Sequence, residues 1–142
     1  MPSIIVVKSN MSSPSIWTKW FDKAFDNTVA WEYDTRMKSY HSNDVYLTIR
    51  EGAIAFEDMS ENLFFGWNIE SWLKVAGQKD LSYGYYDMAS LNAEFVHIQD
   101  GKCIRDCRYY GDEIETDVGD IPAFDDWESV CDYIDDYLLA TN

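Results

Sequence analysis

The sequence has few residues of the types on which most secreted and catalytic proteins depend. Its 142 residues include three cysteines, an odd number that does not suit a disulfide-bonded scaffold. The apolar run at residues 4–7 is too short for the core of a signal peptide. No apolar run approaches the ~20 residues of a membrane-spanning helix. These absences predict a cytoplasmic protein that does not enter a membrane.

Basic residues are also scarce, and they are missing altogether from the last quarter of the chain. There are 26 acids against 11 bases, a formal net charge of −15. No Lys or Arg follows Arg108, whereas eleven acids do. These acids are Asp112, Glu113, Glu115, Asp117, Asp120, Asp125, Asp126, Glu128, Asp132, Asp135 and Asp136. Such a charge repels nucleic acid and anionic membranes and favours a cationic partner, with solubility alone as the alternative explanation.

The motifs of catalytic and cofactor-binding sites are missing. His41 on a predicted loop and His97 on a predicted strand have no motif that pairs them with a nucleophile. Cys103 and Cys107 fall on one face of a predicted strand about 13 Å apart, too far for one metal ion or a disulfide. The acids of residues 112–120 lack the spacing of a calcium loop, and no phosphate-binding loop occurs. The sequence therefore predicts a protein that is not an enzyme and holds no cofactor or metal.

Apolar and aromatic residues, by contrast, are plentiful. They make up 46% and 16% of the chain, which is enough for residues 1–142 to bury the core of a single domain. Buried Tyr and Trp side chains need partners for their polar groups. We therefore expect some of them at the surface, where they anchor a partner at low entropic cost. The aromatic residues predicted to do so are Trp67, Tyr83, Tyr85 and Tyr86.

Hydrophobic periodicity predicts a fold rich in strands. Branched and aromatic residues that cluster or alternate between turn residues indicate a strand. The strands are predicted at residues 3–8, 28–33, 63–67 and 81–88, and in hairpins at residues 44–58 and 94–110. The polar residues 36–43 are predicted to form a loop. For the Tyr-Gly-Tyr-Tyr run at residues 83–86, the alternative to a regular strand is a bulge at a sheet edge.

Three helices complete the predicted fold. The first begins at Pro14, directly after a serine cap, and runs to about residue 26. Residues 68–77 have cap signals at both ends of a short helix. Residues 124–139 predict an amphipathic helix, in which Asp125 and Glu128 fit a capping box. We expect an α+β fold in which an N-terminal and a C-terminal helix pack on an antiparallel meander sheet.

The second predicted hairpin carries the strongest local signal. Its Asp-Gly pair at residues 100–101 suits a two-residue type I′ turn. In that register Ile98 faces Cys103 and Val96 faces Arg105. Neither face of the hairpin is then purely apolar, which indicates either a partly solvated face or a shift of register.

The same region carries a family resemblance. Residues 94–105, Glu-Phe-Val-His-Ile-Gln-Asp-Gly-Lys-Cys-Ile-Arg, are followed by an acidic loop at Gly119 and a helix start, Phe124-x-x-Trp127. This stretch resembles immunity proteins of bacterial polymorphic toxin systems. The resemblance covers less than a third of the chain and assigns no contact residue. It implies a protein that binds and occludes a cognate toxin in the cell that produces the toxin.

The acids that follow the hairpin are the predicted partner-binding residues. They lie in a predicted loop, where no amphipathic pattern explains them and where they are free to meet a partner. They are Asp112, Glu113, Glu115, Asp117 and Asp120. The expected partner is a cognate toxin or another cationic protein. Two alternatives are an acidic mimic of nucleic acid that inhibits a DNA- or RNA-binding protein, and an adaptor that inhibits nothing.

Overall fold

The computed structural model describes residues 2–140, which form one antiparallel sheet with helices on both faces. Nine strands of this part of the chain are β1 Ser3–Lys8, β2 Glu32–Asp34, β3 Ser39–Ser42, β4 Val45–Arg50, β5 Ala53–Asp58, β6 Asp80–Asp87, β7 Asn92–Gln99, β8 Lys102–Tyr110 and β9 Glu113–Val118. The helices are α1 Pro14–Phe25, α2 Ile69–Ala76 and α3 Trp127–Tyr133, and α3 continues as a π-helix at Ile134–Leu139. The predicted α+β class with an antiparallel meander is confirmed.

The first strand lies at the centre of the sheet. The strand order is β2-β3-β4-β5-β1-β6-β7-β8-β9, and every neighbouring pair is antiparallel. Because helices cover both faces here, β1 is apolar on both sides rather than alternating. Ile5 and Val7 pack under α1 and α2, whereas Ile4 and Val6 pack under α3. This explains the unbroken apolar run near the start of the sequence.

The helices lie on opposite faces of the sheet. Trp17 and Phe21 of α1 and Trp72 of α2 fill one core, and Val130 and Ile134 belong to the other. The second core leaves no space for a side chain on the middle of β6. A Cβ placed on Gly84 would lie 2.7 Å from Leu138 Cδ1 and 2.8 Å from Ile134 Cγ1. The glycine of the Tyr-Gly-Tyr-Tyr run therefore permits close helix packing on a central strand. The strand predicted at residues 81–88 is confirmed as β6, and the alternative of an edge bulge is wrong.

Two predictions between residues 28 and 43 are wrong. In place of the strand predicted at 28–33, the structure has the three-residue strand β2 at Glu32–Asp34. The predicted loop at 36–43 contains the strand β3. These strands form the polar outer end of the sheet, where Tyr33 pairs with Tyr40 and Tyr40 with Leu47. Pairing of β3 with β4, which follows after only two residues, thus overrides weak local strand propensity.

The predicted strand at residues 63–67 is a turn. Its backbone groups bind side chains instead of a neighbouring strand. Leu63 N–H donates to Asp58 Oδ2 over 2.8 Å, and Gly66 N–H donates to Glu94 Oε1 over 3.0 Å. Gly66 has φ +80°, which suits glycine. Phe64 of this turn is nevertheless completely buried. The segment is therefore as apolar as a buried strand, and its composition predicted a strand for that reason.

The hairpin of β7 and β8 has the predicted turn but not the predicted register. Asp100 and Gly101 both have positive φ, as a type I′ turn requires. Ile98 pairs with Cys103 as predicted, but a bulge then shifts the register by one residue, and Val96 pairs with Asp106. The expectation that Val96 faces Arg105 is therefore wrong.

The bulge also separates two cysteines that were predicted to share a strand face. Cys103 lies opposite Ile98, which packs under α1 and α2, whereas Cys107 lies opposite Phe95, which packs under α3. Cross-strand partners point to the same side of a sheet. The two thiols therefore lie on opposite faces.

The C-terminal helix begins one residue later than its predicted capping box implies. Asp126 Oδ1 accepts from Ser129 N–H over 2.8 Å, and the Ser129 hydroxyl in turn accepts from Asp126 N–H. The predicted pair of Asp125 and Glu128 is therefore wrong. Arg50 Nη1 donates to the Leu138 carbonyl over 2.7 Å, which satisfies an acceptor near the end of the π-helix.

Candidate functional site

The acids that were predicted to lie in a loop occupy the edge strand of the sheet. β9 pairs with β8 on one side, and no strand of residues 2–140 pairs with its other side. The predicted loop at 112–120 is therefore wrong over Glu113–Val118. The signal that indicated a strand is the alternation of Ile114, Thr116 and Val118 with acids, a period of two residues. An edge strand of this kind presents backbone N–H and C=O groups to solvent.

The carboxylates at this edge are exposed. Every residue of β9 except the half-buried Thr116 is exposed, and Ile114 and Val118 keep 49% and 51% of their surface. Asp112 precedes the strand in a tight turn with φ +67°, and Asp120 follows the strand in an exposed segment. The structure thus brings the five predicted acids into one linear series.

Asp117 differs from the other four acids because it binds a buried base. Arg105, whose side chain is 3% exposed, places Nη1 2.5 Å from Asp117 Oδ1. The same guanidinium donates to the carbonyls of Val118 and Pro122 over 3.0 and 2.8 Å and lies 5.2 Å from the Phe124 ring centroid. Asp117 therefore stabilises the packing of the segment that follows β9. Sequence reasoning missed this pair because Arg105 precedes the acidic region.

The remaining four acids have no basic partner in the part of the chain that the structure describes. No Lys, Arg or His nitrogen there lies within 4.0 Å of their carboxylates. We call this set the acidic edge: Asp112, Glu113, Glu115 and Asp120. Further exposed acids, Asp132, Asp135 and Asp136, lie on α3 and the π-helix. The Tyr86 hydroxyl donates to Asp135 Oδ1 over 2.7 Å, so this acid has a local structural partner.

Two of the four predicted surface aromatics belong to the core. Tyr83 is fully buried and Tyr85 is 8% exposed, so neither side chain is free to meet a partner. The prediction is wrong because the polar group of Tyr83 is satisfied inside the protein, where its hydroxyl donates to Glu94 Oε1 over 2.7 Å. Burial and the neighbouring carboxylate raise the pKa of Tyr83 well above its usual value. Trp67 and Tyr86 remain half-buried.

The two half-buried aromatics do not share a surface. Trp67 contacts Trp72 of α2, with ring centroids 5.1 Å apart. Tyr86 lies near Trp127 of α3 on the other side of the sheet, with centroids 6.4 Å apart. Each face of the sheet therefore has only one half-buried aromatic residue from the predicted set.

A buried charge network between β7 and β8 was not predicted. Glu94, with a fully buried side chain, accepts from the Tyr83 and Tyr110 hydroxyls and from Gly66 N–H. Arg108 Nη1 lies 3.5 Å from Glu94 Oε2, and Arg108 Nε donates to Asp106 over 2.8 Å. Burial and the bond to Glu94 raise the pKa of Tyr110. These charges are paired, as buried charges must be.

The bulge creates this network. In the observed register Glu94 lies directly opposite Arg108. Without the one-residue shift it would face Cys107, and the guanidinium would have no carboxylate across the strand. Arg108 Nη1 also donates to the Trp67 carbonyl over 2.6 Å. The network therefore fixes the turn at residues 63–67 to the sheet.

The histidines and cysteines form no recognisable catalytic arrangement in the described residues. His97 Nε2 lies 2.8 Å from Asp80 Oδ1, and no hydrogen bond joins this imidazole to Ser82, its partner across β6 and β7. All three cysteines are free thiols. Burial raises the pKa of Cys107 to about 11 and that of Cys131 to about 12, so both stay protonated near neutral pH.

Residues 2–140 contain no group of three or more His, Cys, Asp or Glu side chains arranged to hold a metal ion. None of the helices in this range is both long enough and apolar enough to cross a bilayer. Comparisons of the chain with protein-family models, with curated proteins and with solved structures gave no match. The geometry and charge of the acidic edge are therefore the observations that bear on its role.

Proposed function

We propose that this protein is a protein-binding inhibitor, and specifically an immunity protein that binds and neutralises a cognate toxin. The observation that carries the proposal is the acidic edge, two exposed carboxylates on the edge strand β9 and one near each of its ends, with no basic partner among residues 2–140. A strand with free backbone groups accepts an extended segment of a partner. Its charge selects a segment or surface rich in Lys and Arg. Toxins that act on nucleic acid present surfaces of that sign.

Acids on an edge strand have a second established use, which is to prevent association between sheet edges. The two roles lead to different outcomes when the charges are removed. Loss of edge protection produces self-association of the free protein. Loss of a binding surface slows association with the partner, because exposed charges act mainly on the association rate and are screened beyond about 8 Å at physiological salt.

The test is co-expression with the polypeptide that the neighbouring gene encodes. An immunity protein restores growth of the host cell and forms a complex that survives size-exclusion chromatography. Failure to restore growth, when both chains are produced and folded, would contradict the toxin assignment. A complex without rescue of growth would indicate an adaptor.

Charge variants test the surface itself. The acidic edge is neutralised by Asp112→Asn, Glu113→Gln, Glu115→Gln and Asp120→Asn, which leaves the Asp117 pair intact. A control with the same change of charge elsewhere is Glu32→Gln, Asp44→Asn, Glu51→Gln and Glu61→Gln. We expect the first set to slow association by about tenfold or more in stopped-flow measurements and to flatten its salt dependence. Equal effects of the two sets would show that net charge acts, not this edge.

A further inference from the structure

An open groove lies between α1 and α2, on the face of the sheet opposite α3. Its volume is about 560 Å³. The side chains that matter for its chemistry are Trp20, Lys23, Trp67, Lys74 and Lys79. We propose that this groove binds a small organic anion that carries a planar ring. The proposal is independent of the acidic edge and of the toxin assignment.

The charge of the groove is opposite to that of the protein. The chain has 26 acids and 11 bases, yet three lysines and a single acid, Asp26, line this groove. No carboxylate of residues 2–140 lies within 4.0 Å of the Lys23, Lys74 or Lys79 ammonium group. These ammonium groups are therefore available to an anion. A carboxylate or phosphate between them would form charge-assisted hydrogen bonds.

The walls of the groove are suited to a planar ring. Trp20 and Trp67 contribute half-buried indole rings, and Ala24, Val75 and Ala76 contribute small apolar surfaces. Aromatic rings pack on indole in stacked or edge-on arrangements. A purely inorganic anion would leave this apolar surface in contact with water.

One lysine is already positioned by the aromatic wall. Lys79 is half-buried, and its Nζ lies 5.6 Å from the Trp20 ring centroid, a cation–π distance. This contact limits the conformations of a flexible side chain at the groove. Lys23 and Lys74 reach the groove from α1 and α2 respectively.

The size of the groove favours a small molecule as its occupant. Sites for small ligands are typically about 300–1,000 Å³, mostly apolar, with a few convergent polar groups. The groove fits this description in volume, and its lining combines Trp, Ala and Val side chains with three lysines. A mononucleotide and an aromatic carboxylate share the required chemistry, a planar ring joined to an anionic group, and the test below separates them.

Titrations followed by two-dimensional NMR of the six tryptophan indole N–H groups test the proposal. The probes are AMP, indole-3-acetate, adenosine and inorganic phosphate. We expect AMP or indole-3-acetate to shift the Trp20 and Trp67 signals, assigned with Trp20→Phe and Trp67→Phe. The Trp127 signal should stay in place, because its Nε1–H donates to the Asn92 carbonyl near α3.

Lysine variants provide the matched comparison. Lys74→Gln and Lys79→Gln together should weaken binding of the bound probe about tenfold or more, since each removes a charged donor. Lys102→Gln, an exposed lysine at the start of β8, should leave binding unchanged. Circular dichroism checks that each variant folds.

The outcomes separate the parts of the proposal. Binding of AMP alone identifies a nucleotide, and binding of indole-3-acetate alone identifies an aromatic carboxylate. Adenosine that binds as tightly as AMP would overturn the role of the lysines. Phosphate that binds as tightly as AMP would overturn the role of the ring. Absence of any shift with either aromatic anion at about 10 mM, some tenfold above a weak 1 mM dissociation constant, would overturn the proposal.

Discussion

Replacement of Glu94 by alanine should destabilise the protein more than any change at the acidic edge. Glu94 is fully buried, and its carboxylate accepts from Tyr83, Tyr110 and Gly66 while facing Arg108. The alanine variant leaves these donors without an acceptor. Arg108 keeps Asp106, so the guanidinium remains paired with one carboxylate.

The expected magnitude follows from the groups that lose a partner. Each buried donor left unsatisfied costs about 1–3 kcal/mol, and breaking a buried ion pair costs about 3–5 kcal/mol. Of the three donors, Tyr83 is fully buried, Tyr110 is half-buried and Gly66 is exposed, so the full cost applies to Tyr83 alone. Because Asp106 also still neutralises Arg108, we expect a total loss of about 3–5 kcal/mol for Glu94→Ala. That is a large share of the roughly 5–15 kcal/mol by which a domain is stable. Glu94→Gln retains one acceptor oxygen, and we expect a loss of about 1–2 kcal/mol.

Urea unfolding followed by circular dichroism and tryptophan fluorescence measures these differences through the midpoint at constant m-value. Glu113→Ala is the matched control, since this acid is exposed on the edge strand β9 and should change the free energy of unfolding by less than about 0.5 kcal/mol. A loss below about 1 kcal/mol for Glu94→Ala would refute the reasoning. Equal losses for the alanine and glutamine variants would show that the acceptor oxygen is not what matters.

Three further predictions concern Asp117, the reactivity of the thiols and the pH dependence of stability. Asp117→Asn should cost about 1–2 kcal/mol of unfolding free energy, less than a fully buried pair, because Asp117 is half exposed and Arg105 keeps two carbonyl acceptors. If the free energy of unfolding does not change measurably, the carbonyls of Val118 and Pro122 are enough to hold Arg105 against the segment that follows β9. Cys103 should react first with a thiol reagent, and Cys107 and Cys131 only after unfolding, with three thiols counted in denaturant. Burial raises the folded-state pKa from 9.0 to about 11 for Cys107 and to about 12 for Cys131, so the unfolded chain loses these protons at lower pH than the folded protein does. The free energy of unfolding should therefore fall as pH rises above about 9. A free energy of unfolding that stays level from pH 8.5 to 10.5 would contradict this.

Local patterns predicted the fold where the signal lies within the segment itself, as an apolar run, an alternation or a cap residue. The buried first strand, the hairpin of β4 and β5 and the cap signals of α2 were all correct. Asn68 Oδ1 accepts from Ser71 N–H over 2.9 Å, and Gly77 follows the helix with φ +57°. The prediction of a strand at residues 63–67 was wrong because the backbone there binds the side chains of Asp58 and Glu94, which lie on two separate strands. No local pattern reveals such bonds.

The acidic residues of the candidate site were predicted correctly from charge, but their secondary structure was predicted wrongly. The absence of bases after Arg108 indicated the acidic edge. A loop was predicted there, although the alternation of acids with Ile114 and Val118 is typical of a strand. The groove between α1 and α2 was not predicted. Its lysines come from helices that lie far apart in the sequence, so only the packed sheet brings Lys23 and Lys74 to one cavity.

The central position of β1 has a consequence for how the chain folds. β1 joins two meanders, β2–β5 on one side and β6–β9 on the other, and each is built from neighbouring strands in sequence. The pairs of β1 with β5 and β6 are the long-range steps, and closing such loops is slow. During synthesis about eighty further residues must be added after β1 before its second partner, β6, is complete. During that interval its apolar side chains lack their partners in the sheet, a condition that favours association with other apolar surfaces. Because β1 pairs with both meanders, we expect them to unfold as one cooperative unit.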